Sequence, residues 1–293
     1  MSLFSKMFLE DAYGVAIREI NSHQKMFRAK YPTIFKWYAD PFPCHTKEGD
    51  YLFVELMDYH IVYGQIAVAP IKDGHVGKFK VIISEPFHMS FPNVFKWNDT
   101  WYMLPETYQS KEVRLYRCDK FPYKWSLHKV LLDNVELVDH ALYLNNNKIT
   151  VISYDISDLN NKYSRVFEID LNQMVMNEIF PKGNICQDRG AGTIYEIDNC
   201  YYRAIQDCTN CYGDFLRFYK ISTLSRDTIN ETEIMRKYAS DVTLDKNRGI
   251  RHIHTYNRNE RYEVIDFLYR KFYPNKIFLR LWQNVIRKNR KHK

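Results

Sequence analysis

Carboxylates recur in this chain at the ends of apolar runs. In "ADPFPCHTKEGDYLFVE", Asp40 stands ahead of an apolar segment and Glu55 closes the run that follows a polar turn. The arrangement returns at Glu106 after "WYMLPE", Asp155 after "ITVISYD", Asp207 after "YYRAIQD" and Asp266 after "RYEVID". A second set of residues opens the preceding runs: Asp40, Pro92, Asp139, Arg189, and the pair His252 and His254. Carboxylates crowded into one shielded place repel one another, and burial raises the pKa of some, so one holds a proton while another stays ionised. Chemistry at a glycosidic bond needs that division: an acid to protonate the leaving oxygen, and a carboxylate as base or nucleophile.

Bringing these residues together requires hairpins. Polar clusters "KEGD", "WNDT", "NNNK", "IDNC" and "NRNE" each separate two β-rich runs, the signature of an antiparallel hairpin. A hairpin sets the start of its first strand beside the end of its second. The unit repeats about every fifty residues, a period of propellers and solenoids. Runs such as "GQIAVAPI", "VRLYRC" and "FLRFYKIS" supply third strands. Tyr, Phe, Val, Ile and Trp dominate, with little helical periodicity. The expected fold is all-β, a five-bladed β-propeller with a short basic C-terminal helix. Residues 1–30 hold a strand, "AYGVAIREI", that closes the ring against the last blade and removes an exposed edge. Residues 31–270 form the propeller and 271–293 a basic amphipathic tail. First strands line the channel, so the two sets of residues converge at one mouth.

Composition narrows the function. Aromatics make up 16% of residues, serving as packing between blades or as platforms for sugar C–H faces. No signal-peptide core is present and no run approaches the ~20 apolar residues of a membrane span. Six cysteines in 293 residues do not make a disulfide scaffold, which points to the cytoplasm. Cys208 and Cys211 form a C-x-x-C, but no second matched pair accompanies it, so no metal is expected. The net charge is +7, and nine Lys and Arg follow Asp266 with no acid among them. Removing those nine from 42 leaves 33 bases against 35 acids, a nearly neutral body with a basic tail. Phe278, Leu281, Trp282, Val285 and Ile286 form one apolar helical face in that tail. A basic, Trp-bearing face suits an anionic membrane surface, here the inner face, or a helix docked on the propeller. Nucleic acid is not expected, since the body has no basic stripe. Neither a phosphate-binding glycine loop nor a dinucleotide fingerprint occurs, and no cofactor is expected.

Further residues fall near the mouth. His88 precedes the second inner run, where it could donate to a sugar hydroxyl or phosphate. Arg189 is followed by Gly190 and Gly192, which permit close approach of a ligand or neighbouring backbone; an arginine there suits a carboxylate or phosphate. His252 and His254 share a strand face and read as pocket lining. Glu55 and Asp207 complete the set.

The motifs "ADPFP", "FVE", "EPFHMSFPNVF", "WYMLPET", "EVRLYR", "VDHALY" and "QDC" followed by "LRFY" resemble, in order, a propeller domain of bacterial polysaccharide loci. They also resemble the N-terminal part of plant glucosamine inositolphosphorylceramide transferases. Both look like distant members of the arabinanase, levansucrase and invertase superfamily. The resemblance covers Tyr31 to Asp266. It implies a first-blade aspartate at Asp40, a transition-state-stabilising aspartate at Asp139 and a general acid at Glu106. Val138-Asp139-His140 stands where many relatives carry Val-Asp-Pro. The plant proteins join this propeller to a separate transferase domain, which is not expected within these 293 residues. The expectation is a carbohydrate-active protein acting on glycosyl linkages, by transfer or hydrolysis, in surface polysaccharide or glycolipid biosynthesis. Its partner would be an oligosaccharide or lipid-linked sugar. The alternative is a non-catalytic glycan-binding module partnering a separate glycosyltransferase.

Overall fold

A computed structural model describes residues 9–20, 22, 25–30, 35–158, 160–245, 249–273 and 281. Five antiparallel sheets stand around a central channel, a five-bladed β-propeller. The first blade holds Lys36–Thr46, Gly49–Asp58 and Tyr63–Lys72, with two short strands, His75–Val76 and Lys80–Ile83, sharing its outer edge. The second holds Ser90–Trp97, Thr100–Glu106, Glu112–Lys120 and Lys124–Asp133. The third runs Leu137–Asn145, Lys148–Asp155, Tyr163–Asp170 and Val175–Ile179, and the fourth Tyr195–Ile197, Cys200–Asp207, Phe215–Leu224 and Ile229–Lys237. The fifth begins with Tyr256–Arg258 and Tyr262–Phe272 and is completed from the other end of the chain by Leu9–Glu19 and Phe27–Arg28.

The hairpin turns fall on the five polar clusters. Asn98 and Asp99, Asn146, and Asp198 and Asn199 all take positive φ, which Asn and Asp tolerate in tight primed turns. Ring closure is covalently discontinuous: Leu9–Glu19 pairs along its whole length with Tyr262–Phe272, from Leu9 opposite Phe272 to Glu19 opposite Tyr262. That pairing leaves neither strand as an open edge.

Five apolar clusters fill the five seams between blades. Phe42, Phe53 and Ile66 of the first blade meet Met89, Phe91 and Tyr116 of the second. Leu104 and Leu115 of the second meet Leu142, Val151 and Phe167 of the third, and Ile152 and Val166 meet Ile194 and Ile221. Ala204 and Phe218 pack on Ala16, Ile265 and Phe267, while Ile17 and Val264 close against Leu52 and Val54. Most aromatics are thereby packing residues. The amphipathic helix expected over Phe278 to Ile286 lies outside the described residues apart from Leu281. The first two of the nine basic residues after Asp266 belong to the propeller: Arg270 Nε donates to Asp11 Oδ1 at 3.0 Å and Lys271 Nζ to the Lys36 carbonyl at 3.3 Å.

Candidate active site

One irregularity, repeated, builds the channel mouth. Each of the first three inner strands skips register near its start, between Ala39 and Phe42, Ser90 and Asn93, and Val138 and Ala141. The skipped residues include Asp40, Phe91 and Asp139, with φ of 47°, 52° and 53°. Such bulges re-aim a side chain out of the pleat, and positive φ at a non-glycine residue costs roughly 1–3 kcal/mol that the surroundings must offset. The surroundings do so with carboxylates. Asp266 Oδ2 accepts the Asp40 N–H at 3.1 Å, Asp40 Oδ2 the Phe91 N–H at 3.2 Å, and Glu106 Oε2 the Asp139 N–H at 3.1 Å. The acids therefore stitch the fifth blade to the first, the first to the second and the second to the third.

Beside the bulges, Ala39 pairs with Glu55 and Ser90 with Glu106, which aims both glutamates inward. A cavity of about 260 Å³ results. It gathers Asp40, Glu55, His88, Glu106, Asp139, Arg189 and His254 from the residues singled out in the sequence, and adds Tyr13, Trp37, Ser90, Tyr108 and Tyr212.

Asp207 and His252, expected there, do not line it. In the third blade the matching register pairs Val138 with Tyr154, so Asp155 sits one residue further and points away. It binds Arg165 at 2.8 Å and Ser157. Asp207 is displaced in the same way; it lies 3.4 Å from Arg217 and accepts the Thr209 N–H, while its neighbour Gln206 turns inward to donate to the Gly190 carbonyl at 2.7 Å. A one-residue offset moves a strand side chain to the opposite face. His252 instead faces Asp214 and Cys211. Phe91, and not Pro92, takes the positive-φ place in the second blade that Asp40 and Asp139 hold in theirs.

Charge within the cavity is divided unevenly. Burial, then the charge of Asp139, pushes Glu106 up to about 7 despite Arg189. Burial pushes Glu55 well above its ordinary value, helped by Glu106 and Asp266. Asp40 also lies well above the usual range, chiefly from burial, although His254 opposes the shift. Burial acts against the His254 charge, but Asp266 at 2.6 Å and Asp40 at 3.6 Å raise it to about 9. In return, and against its own burial, Asp266 is held below the ordinary range by His254. The result is a buried imidazolium–carboxylate pair with His254 in the cavity lining and Asp266 behind it. Asp139 is clamped by Arg189, whose Nε and Nη2 reach its two oxygens at 2.6 and 3.1 Å. Gly190 makes this possible, since a Cβ there would meet the Asp139 carbonyl at 2.8 Å. The glycine thus serves neighbouring backbone.

His88 is the neutral donor of the set. Burial lowers it to about 4, and its Nδ1 accepts the Gly64 N–H at 2.9 Å. The ring proton therefore sits on Nε2, 3.5 Å from Glu55 Oε1. Among the described residues, Asp40 Oδ1 and Glu55 Oε1 have no hydrogen-bond partner. Unsatisfied buried carboxylate oxygens are costly, and here both belong to side chains lining the cavity.

The family described as glucosamine inositolphosphorylceramide transferase 1, N-terminal, matches residues 12–263. Glucosamine inositolphosphorylceramide transferase 1 of Oryza sativa subsp. indica is 31% identical over 214 residues, 70% of this chain and 28% of that protein. The Arabidopsis thaliana protein of the same name is 30% identical over 206 residues, 67% of this chain and 27% of that one. The chain spans under a third of the length of these curated relatives. Among solved structures, the alpha-L-arabinofuranosidase PaAbf62A from Podospora anserina matches with TM-score 0.57 at 12% identity, covering 78% of this chain and 90% of that one. Zg3597, a family 117 glycoside hydrolase of Zobellia galactanivorans, matches with TM-score 0.56 at 12% identity, covering 89% and 90%. At that identity the likeness shows the shared fold.

Proposed function

We propose that this chain, which belongs to the family of the N-terminal part of glucosamine inositolphosphorylceramide transferase 1, acts on glycosyl linkages in surface polysaccharide or glycolipid biosynthesis. The observation that carries the reading is the convergence of Asp40, Glu106 and Asp139 on one cavity whose burial raises the first two. Glu106, near 7, holds a proton at neutral pH in a large share of molecules and gives it to the leaving oxygen. Asp40, when ionised, is a strong base because its buried carboxyl sits high; it takes the proton of an attacking water or acceptor hydroxyl. Asp139, oriented by Arg189, faces the positive charge that develops on the sugar ring. Glu55 and His88 offer an acceptor and a neutral donor to ring hydroxyls, and Trp37, Tyr13 and Tyr212 offer ring faces.

The cavity lies just under the roughly 300–1,000 Å³ of ordinary ligand sites, which suits a terminal sugar unit rather than an extended chain. The names of the relatives join an amino sugar to a phosphorylated lipid, and the partner class is an oligosaccharide or lipid-linked sugar. The seven Lys and Arg after Tyr273 support work at the cytoplasmic face of the inner membrane.

The bidentate Arg189–Asp139 clamp favours a second reading, because it already neutralises one of the three acids: a glycan-binding module beside a separate transferase. Purified protein with Asp40→Asn, Glu106→Gln or both separates the two. Turnover of lipid-linked sugars or oligosaccharides that falls at least 100-fold with binding retained supports catalysis. Binding without any turnover in the unaltered protein overturns it and leaves the module.

A further inference from the structure

Outside the cavity floor, a second cluster of chemistry-bearing side chains stands at the rim. Residues 208–214 join Cys200–Asp207 to Phe215–Leu224 in the fourth blade, and their far end meets the segment that enters the fifth. There Cys211 Sγ lies 3.8 Å from His252 Nδ1, and His252 Nδ1 lies 3.1 Å from Asp214 Oδ1. One ligand atom from each of the three falls within 4.8 Å of the others. Asn210 Nδ2 holds the second Asp214 oxygen at 3.0 Å.

We propose that Cys211, Asp214 and His252 form a zinc site that pins the 208–214 loop over the cavity. A tetrahedral zinc with sulfur at about 2.3 Å and nitrogen or oxygen at about 2.0–2.2 Å sets its ligand atoms about 3.4–3.6 Å apart. The distances of 3.8 and 3.1 Å to His252 Nδ1 straddle that spacing, and the Cys211–Asp214 separation lies within 4.8 Å, so an adjustment of the Cys211 and Asp214 side chains admits the ion. A thiolate, an imidazole and a carboxylate suit zinc and disfavour magnesium or calcium, which take oxygen ligands. Cys211 is exposed and the other two half-buried, leaving an entry path and a fourth position for water. Asn210 acts as the outer partner that orients a ligating carboxylate. Cys208 is not among the ligands: Cys211 is joined by Asp214 of the same loop and by His252 from the segment that enters the fifth blade.

The loop already has the shape such a clasp needs. Gly213 takes φ +60, and a Cβ there would stand 2.5 Å from His254 Cβ, so the chain runs hard against the fifth blade. Tyr212, between the ligand Cys211 and Gly213, places its ring 5.0 Å from the Arg189 guanidinium and 5.3 Å from the His254 ring. A metal at Cys211 would hold Tyr212 as part of the cavity wall.

The site is tested without reference to sugar turnover. The full chain, chelator-treated and kept reduced, is titrated with Co²⁺ and then Zn²⁺. The expected result is one Co²⁺ per chain with a thiolate-to-metal charge-transfer band that Zn²⁺ displaces. Cys211→Ser, Asp214→Asn and His252→Ala should each weaken binding by at least about tenfold, the low end of what even an outer-shell partner contributes. Cys118→Ser, in the second blade, should not. Circular dichroism and melting curves matched to the unaltered chain establish that these surface variants fold. Absence of the band in the reduced unaltered chain, or a band undiminished in all three ligand variants, overturns the proposal.

Discussion

Replacing Glu106 with Gln isolates what burial of one carboxyl does to the whole protein. Its pKa stands at about 7 against an ordinary 4.5, so the folded chain holds this proton more tightly than the unfolded chain does. The stability associated with it is fully present below about 4.5 and is lost as pH rises through about 7. A displacement of about 2.5 pH units at 1.36 kcal/mol each amounts to about 3 kcal/mol. Gln keeps an oxygen to accept the Asp139 N–H but cannot ionise. Urea unfolding of both proteins at pH 4.5, 6 and 8 reads the difference directly. The variant should match the unaltered chain at pH 4.5 and exceed it by about 3 kcal/mol at pH 8. A gain independent of pH, or a variant less stable at pH 8, would refute a protonated Glu106 and with it the general acid.

Three further outcomes follow from other parts of the molecule. The His254 ring, watched by NMR, should titrate near 9, and Asp266→Asn should bring it down toward or below 6.5; a midpoint already below 7 in the unaltered chain contradicts its ion pair with Asp266. Arg203 and Glu231 form a pair with almost no exposure, Nε to Oε2 at 2.7 Å; Arg203→Met strands the carboxylate and should cost roughly 3–5 kcal/mol in urea unfolding, whereas a loss under 1 kcal/mol would mean the pair is hydrated. Vesicles rich in anionic lipid should float the full chain but not one ending at Tyr273, and equal flotation removes the membrane role of the tail.

Much of the architecture was legible because it is local. Turn chemistry at Asn98-Asp99 or Asp198-Asn199, and alternation within "YLFVE", act over a few residues, so each hairpin announces itself. The repeat then orders the blades, and the opening strand closes the ring because a propeller penalises a free edge. Asp40, Glu55, Glu106 and Asp139 could be assigned to one mouth on that basis. Their neighbours could not. Whether an acid near a strand end faces the channel depends on a single residue of register, and Tyr154 and Gln206 rather than Asp155 and Asp207 hold the inward places. No local pattern carries that offset, since it is decided by where each inner strand bulges against its partner. Tyr13 and Tyr212 reach the cavity from positions 199 residues apart in the chain, and Cys211 meets His252 only across a blade boundary. Sequence order specified the hairpins through short-range sterics and hydrogen bonding; the packing of blades about the axis decided which side chains meet, because proximity there is a property of the closed ring.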